Sequence, residues 1–213
     1  RLEAWINPYR GRNGAYTSEM SPSNPANAML KTGDAIQYNG AITYNPASKK
    51  AQQLIVDGVK EIVENYDVDG IHFDDYFYPT TDMAFDKASY QSYRSAGGTL
   101  GQADWRRQNV NDLVKAVYAA IKEIDEDVVF GISPQGNMDN NYNNQFIDVE
   151  EWLTEDGYID YICPQIYFGF QNSTCPYAET VKAWDQQITN DVKLYVGLAL
   201  YKIGLEDTYA GNG

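Results

Sequence analysis

Two adjacent carboxylates, Asp74 and Asp75, run directly into Tyr76-Phe77-Tyr78-Pro79. Hydrolysis of a glycosidic bond needs one protonated carboxyl to donate to the leaving oxygen and a second group to act as nucleophile or base. Flat rings carrying hydroxyls suit the faces and edges of sugars. Acids followed at once by such rings therefore point to carbohydrate chemistry. The competing reading is an acidic loop cap or a cation site. Asp74 is the first candidate for catalysis. Asp75 is either the acid at the end of the same element or the holder of a neighbouring arginine.

The element that positions them reads as a strand. Val68, Ile71 and Phe73 are strand formers, and His72, Asp74 and Tyr76 fall on the other parity and share one face. Neighbouring strand residues point to opposite faces, so Asp74 and Asp75 flank one bond only if the chain bends at Asp75. Otherwise the second carboxylate comes from another loop, with Asp82, Asp139 and Glu206 as candidates. Polar groups also end other apolar strands: Asn7, Tyr9 and Arg10 after the first, Gln135 and Asn137 after the third, Gln165 and Tyr167 on the fourth. These, with His72, Tyr76 and Tyr78, are the candidate sugar-binding residues. The plainer readings are an Asn-Pro turn with Arg10 in a salt bridge, and a hydrogen-bonded core role for His72. Asp69 is expected to tie the turn before its strand.

Strand and helix patterns alternate along the chain. Strands are expected at Leu2–Ile6, Asp69–Phe77, Val128–Pro134, Tyr158–Tyr167 and Lys193–Tyr201, and helices from Asn45-Pro46-Ala47-Ser48 to Val63, Asp104–Asp125, Phe146–Leu153 and Tyr177–Thr189. In the second helix Val110, Leu113, Val114, Val117, Ile121 and Ile124 recur at helical spacing. Long loops fill residues 11–45 and 79–103, and loops of that length are usually functional. The alternation predicts a parallel sheet with right-handed crossovers. Polar chemistry gathered at the carboxyl ends of the strands predicts a (β/α)₈ barrel, and the chain has no phosphate-binding glycine loop of the doubly wound kind. About five βα units are readable, so residues 1–213 are expected to be one barrel domain incomplete at both ends, lacking two early strands and the last one.

Composition narrows the partners. Sixteen basic against thirty acidic residues give a net charge of −14, which argues against a nucleic-acid backbone or an anionic membrane. Neutral and amine-bearing polymers remain compatible. Eighteen tyrosines fit carbohydrate contact, although tyrosine is also an ordinary strand residue. No apolar run is long enough to span a bilayer. With one histidine and no Cys/His cluster, a zinc site is not expected, and the chemistry requires no cofactor. Cys163 and Cys175 fit either an exported disulfide or two free thiols.

The segments AWINPYR (4–10), YDVDGIHFDDYFYP (66–79), DWRRQNVNDLV (104–114), GISPQGN (131–137), DYICPQIYFGF (160–170) and GLALYKIG (197–204) resemble the glycosyl hydrolase-like 10 family of bacterial envelope proteins. The resemblance covers the whole chain. It implies a barrel glycosidase in which AWINPYR is about the third strand. The implied substrates are envelope glycans, including peptidoglycan strands stripped of their peptides, and the implied location is the cell envelope or outside the cell. Chitinases of family 18 are a more distant comparison through the pattern DGxDxDxE. Laid on this chain, that pattern puts His72 at its first inner aspartate and Tyr76 at its glutamate, so the chitinase acid is absent. A carbohydrate-binding protein without turnover and a glycosidase for other glucans are the rival readings.

Overall fold

The computed structural model describes residues 1–15 and 19–205; Glu206 lies outside them. In chain order the elements are β1 (Glu3–Ile6), β2 (Arg10–Arg12), α1 (Ala26–Thr32), β3 (Ala35–Tyr38), β4 (Ala41–Tyr44), α2 (Lys49–Asn65), β5 (Gly70–Phe73), α3 (Lys87–Ser95), α4 (Gln102–Ile124), β6 (Val129–Ile132), α5 (Met138–Asn144), α6 (Val149–Thr154), β7 (Tyr161–Ile162), α7 (Tyr177–Gln187) and β8 (Lys193–Leu194).

The main sheet has the order β1-β5-β6-β7-β8, and every pair in it is parallel. Each new strand is added beside its predecessor and the order never reverses. A doubly wound sheet needs such a reversal; a monotonic order is that of consecutive units of a (β/α) barrel. Among the described residues the run is open, since β1 and β8 each have one neighbour. The ladder continues past the named strands at the carboxyl end, where the Gln165 N–H donates to the Pro134 carbonyl at 2.9 Å and the Gly197 N–H to the Pro164 carbonyl at 3.0 Å.

One face of the sheet builds the core. Ile71, Phe73, Phe130, Ile132 and Ile162 are buried against α2, α4 and α6 through Val59, Val110, Leu113, Val114, Val117 and Trp152. Phe73 and Phe130, on adjacent strands, meet edge to face at 4.9 Å, worth about 0.5–1.5 kcal/mol beyond area burial. The opposite parity carries Trp5, His72, Gly131 and Tyr161 in one register row. This is the inward layer of the barrel.

Both long loops hold structure that their composition hid. Residues 11–45 contain α1 and, with β2, a three-stranded antiparallel sheet of order β2-β4-β3, and residues 79–103 contain α3. The strands are shorter than expected. β5 ends at Phe73, not Phe77, and β8 at Leu194, not Tyr201. Helix α4 starts at Gln102 behind Gly101, so Asp104 sits in its first turn and pairs with Arg107 at 2.6 Å instead of capping. Ser48 caps α2, accepting from the Ala51 N–H at 3.1 Å. Asp69 accepts from the Leu2 N–H, tying the starts of β1 and β5. Cys163 and Cys175 are free, half-buried thiols.

Candidate active site

Asp74 follows the last residue of β5 on the inward parity, and its residue is 7 % exposed. Its Oδ1 accepts from the Asp75 backbone N–H at 2.8 Å and from Gln165 Nε2 at 3.0 Å. Gln165 Nε2 also reaches the Ser133 carbonyl at 2.9 Å. The carboxylate is therefore oriented by a side chain two strands away in the sheet but at the same rim. Buried carboxylates persist where such donors satisfy them.

Because β5 ends at Phe73, the backbone bends at Asp75 and the two carboxyls do not diverge as strand neighbours would. Asp75 faces a cavity of about 320 Å³ lined by Tyr9, Arg10, Arg12, Asn13, residues 41–43, residues 76–79, Gln135 and Gln145. That volume lies within the range of small-ligand pockets. Burial pushes the Asp75 carboxyl up to about 6, and the neighbouring Asp74 pushes the same way through its charge and a hydrogen bond. Hydrogen bonds from Gln145 and Gln135 oppose the rise. A carboxyl with this pKa is partly protonated near neutral pH, the state required of a general acid.

The predicted site residues separate into groups. Tyr9, Arg10, Tyr76 and Tyr78 share the Asp75 cavity. Arg10 makes no salt bridge among the described residues; its guanidinium lies 3.6 Å over the Tyr76 ring, which is 46 % exposed. Tyr9 is buried, and its hydroxyl has no partner among the described residues. Tyr78 is packed against Phe85 and Phe146, with its hydroxyl accepting from Asn109 at 3.4 Å, so its ring is core and no free platform. Tyr167 stands edge-on to Tyr201 at 6.1 Å, and burial lifts its hydroxyl above the ordinary range, with Tyr201 and then Asp74 adding to it.

The others lie apart. The Asn7 Oδ1 is buried without a partner among the described residues, and its residue lines an adjacent apolar groove along α2. His72 sits one layer below Asp74, with Nδ1 2.7 Å from the Tyr161 hydroxyl, which donates to Glu3. Burial depresses the His72 pKa. Asn137 caps α5, accepting from the Asn140 N–H at 3.0 Å and donating to Cys175 Sγ at 3.3 Å. Asp82 accepts from the Ala84 N–H at 2.8 Å, and Asp139 lines a different groove; neither lines the Asp75 cavity.

Arg12 and Gln145 were not foreseen. Gln145 follows an asparagine-rich helix and carries no motif of its own. Arg12, two residues after Arg10, was legible as the alternate position of a strand had β2 been recognised. Among the described residues no helix is long and apolar enough to cross a membrane, and no cluster of three or more His, Cys, Asp or Glu side chains is placed to hold a metal.

Comparison with known proteins identifies the family. The chain is 37 % identical over 224 residues to glycosyl hydrolase YngK of Bacillus subtilis, covering 95 % of this chain and 43 % of that protein. It is 34 % identical over 228 residues to glycosyl hydrolase DigH of Escherichia coli, covering 96 % of this chain and 51 % of that protein. It thus spans about half the length of these relatives. The PgaB (BpsB) glycoside hydrolase domain from Bordetella bronchiseptica superposes with a TM-score of 0.56 at 14 % identity, over 87 % of this chain and 57 % of that one; at that identity the likeness is one of fold. The family description glycosyl hydrolase-like 10 matches residues 1–210. With that match over nearly the whole chain and these relatives beside it, the chain belongs to the glycosyl hydrolase-like 10 family.

Proposed function

We propose that this chain carries the acid/base centre of a glycoside hydrolase acting on bacterial envelope glycans, peptide-free peptidoglycan strands among them. The observation that carries the reading is Asp75: a carboxyl held near pKa 6 by burial and by Asp74, facing a cavity large enough for sugar. Asp75 in its protonated form donates to the glycosidic oxygen as the bond to the anomeric carbon breaks, and a water adds to that carbon with release of a proton, which completes the hydrolysis. Asp74, oriented by Gln165 and the Asp75 N–H, faces the positive charge that develops on the sugar ring. Preorganised charge of this kind acts without reorganisation at the moment of reaction. A substrate of this kind places the working protein in the envelope or outside the cell.

A second reading, carbohydrate binding without turnover, draws on one feature. Tyr76 stands where the distant chitinases have their acid, and it is engaged by Arg10. Product analysis by mass spectrometry separates the two. The full-length protein is incubated with peptide-free peptidoglycan strands, chitosan, chitin oligomers and glucans, beside its Asp74→Asn and Asp75→Asn variants. A glycosidase cleaves at least one glycan and loses cleavage in the variants while keeping affinity. Binding with no product from any of them establishes the second reading.

A further inference from the structure

The chain is strongly acidic, yet the cavity beside its candidate acid is lined by two guanidiniums that have no carboxylate partner among the described residues. Arg1, Arg106 and Arg107 each pair with an acid, and Arg94 donates to the Thr99 and Leu100 carbonyls. Arg10 and Arg12 form no ion pair among the described residues. Arg10 lies over the Tyr76 ring, its guanidinium carbon 3.6 Å from the ring centroid. Arg12 donates from Nη2 to the Gly40 carbonyl at 3.3 Å, while its Nε is buried with no partner among the described residues. Asp75 shares the cavity but forms no ion pair with either arginine among the described residues. A buried donor left empty is costly, and a guanidinium offers its N–H groups in the fork that matches a carboxylate.

We propose that Arg10 and Arg12 form a subsite for a carboxylate carried by the sugar bound next to Asp75, so that the protein selects acidic glycans in spite of its own negative charge. The inference rests on the glycosidase reading and sharpens it. Strand β2 is what delivers it: both arginines are carried over the barrel rim by the small antiparallel sheet, and the Gly40 carbonyl at the tip of its hairpin anchors Arg12. The amides of Asn13, Gln135 and Gln145 complete a polar wall around the same space. Stripping the peptide from a peptidoglycan strand exposes a lactyl carboxylate on alternate sugars. A uronic acid carries its carboxylate on the ring. Either supplies the same chemistry.

The test compares peptide-free peptidoglycan strands with the same strands after conversion of their carboxyls to amides, and adds oligogalacturonides as the ring-carboxylate arm. Turnover is read as kcat/KM with the full-length protein, and binding as Kd by calorimetry with Asp75→Asn. The subsite predicts a preference for carboxylate over amide of about tenfold or more, typical of a charge-assisted contact. Arg12→Gln and Arg10→Gln each shrink that ratio, and Arg12→Lys keeps part of it. Equal handling of carboxylate and amide strands in both assays overturns the subsite, as does a ratio untouched by both glutamine variants. Turnover without preference leaves the glycosidase reading standing and removes the subsite. Preferential binding without turnover of any glycan does the reverse. Preference confined to the peptidoglycan pair assigns the lactyl group; avid binding of oligogalacturonides assigns any sugar carboxylate.

Discussion

Gln165 holds Asp74 from across the sheet, its Nε2 shared between the Asp74 Oδ1 at 3.0 Å and the Ser133 carbonyl at 2.9 Å. The carbonyl acceptor fixes which end of the amide faces the carboxylate, since only the nitrogen can donate. Gln165→Leu removes the donor and retains much of the volume. Kcat is expected to fall about 10–100-fold with KM little changed, the signature of a group that orients a catalytic carboxylate. Steady-state kinetics on the glycan identified by product analysis decides it. A rise in KM with kcat intact would place Gln165 in substrate binding instead.

The pH dependence follows from Asp75. Its carboxyl is raised to about 6, first by burial and then by Asp74. As the general acid it must be protonated, so kcat/KM is expected to fall tenfold per pH unit above about 6. The stability consequence has the same sign. The folded state holds the proton more tightly than the unfolded chain, so this group favours folding at low pH, and that contribution is lost as pH rises from the ordinary aspartate range through about 6. Asp75→Asn should therefore melt with the parent near pH 3.5, gain on it between about pH 4 and 6, and hold a constant advantage above. Thermal melts across that range test the account, and a parent more stable than the variant at pH 8 would contradict it.

Much of this was legible in the sequence, for a physical reason that also explains what was not. The period-3.6 stripe of α4 and the apolar runs around Ile71, Phe130 and Ile162 report burial, and burial is what periodicity encodes. The rim position of Asp74, Gln165 and Arg10 followed from polarity at strand ends. The sheet formed by β2, β3 and β4 was missed although its signal was present: Asn39-Gly40 between Ala35–Tyr38 and Ala41–Tyr44 is a two-residue hairpin turn, and both residues adopt positive φ. The end of β5 at Phe73 was not readable, because Tyr76 and Phe77 continue a strand-like composition. It is tertiary contact, with Phe77 packed on Tyr9 and Trp152, that draws the chain out of the sheet and turns Asp75 toward the cavity. The pairing of Asp74 with Gln165 depends on sheet register, which local pattern does not carry.

The segment that carries Tyr78 and Pro79 onward is fastened by one buried ion pair. Arg106 gives Asp86 two bonds, Nε to Oδ2 at 2.9 Å and Nη2 to Oδ1 at 2.6 Å, and both side chains are fully buried. The remaining donors reach the Thr80 and Asp82 carbonyls. Removing one partner leaves a buried charge unpaired, so Asp86→Ala and Arg106→Met should each destabilise by about 3–5 kcal/mol. The double variant, which removes both charges, should cost less than the sum of the two. Urea denaturation of the three proteins provides the cycle; strict additivity would mean that the pair is not energetically coupled.

Gly131 makes room for the ring that sets the state of His72. A Cβ at Gly131 would stand 2.0 Å from Tyr161 Cζ and 2.2–2.3 Å from two further ring carbons, so the ring lies directly across this strand. The Tyr161 hydroxyl donates to Glu3 and must therefore accept from His72 Nδ1, at 2.7 Å. That fixes the proton of the neutral imidazole on Nδ1 and leaves Nε2 as an acceptor. Gly131→Ala forces the ring away and is expected to destabilise by about 1–3 kcal/mol. Tyr161→Phe keeps the ring but removes the hydroxyl that selects the tautomer. His72 is the chain's single histidine, so its imidazole nitrogens can be assigned by comparison with His72→Gln in ¹⁵N-labelled protein. At pH 7 the parent should show a neutral ring protonated at Nδ1, and Tyr161→Phe a shift toward the Nε2–H form. A parent ring already protonated at Nε2 would mean that the Glu3–Tyr161–His72 chain runs in the opposite sense.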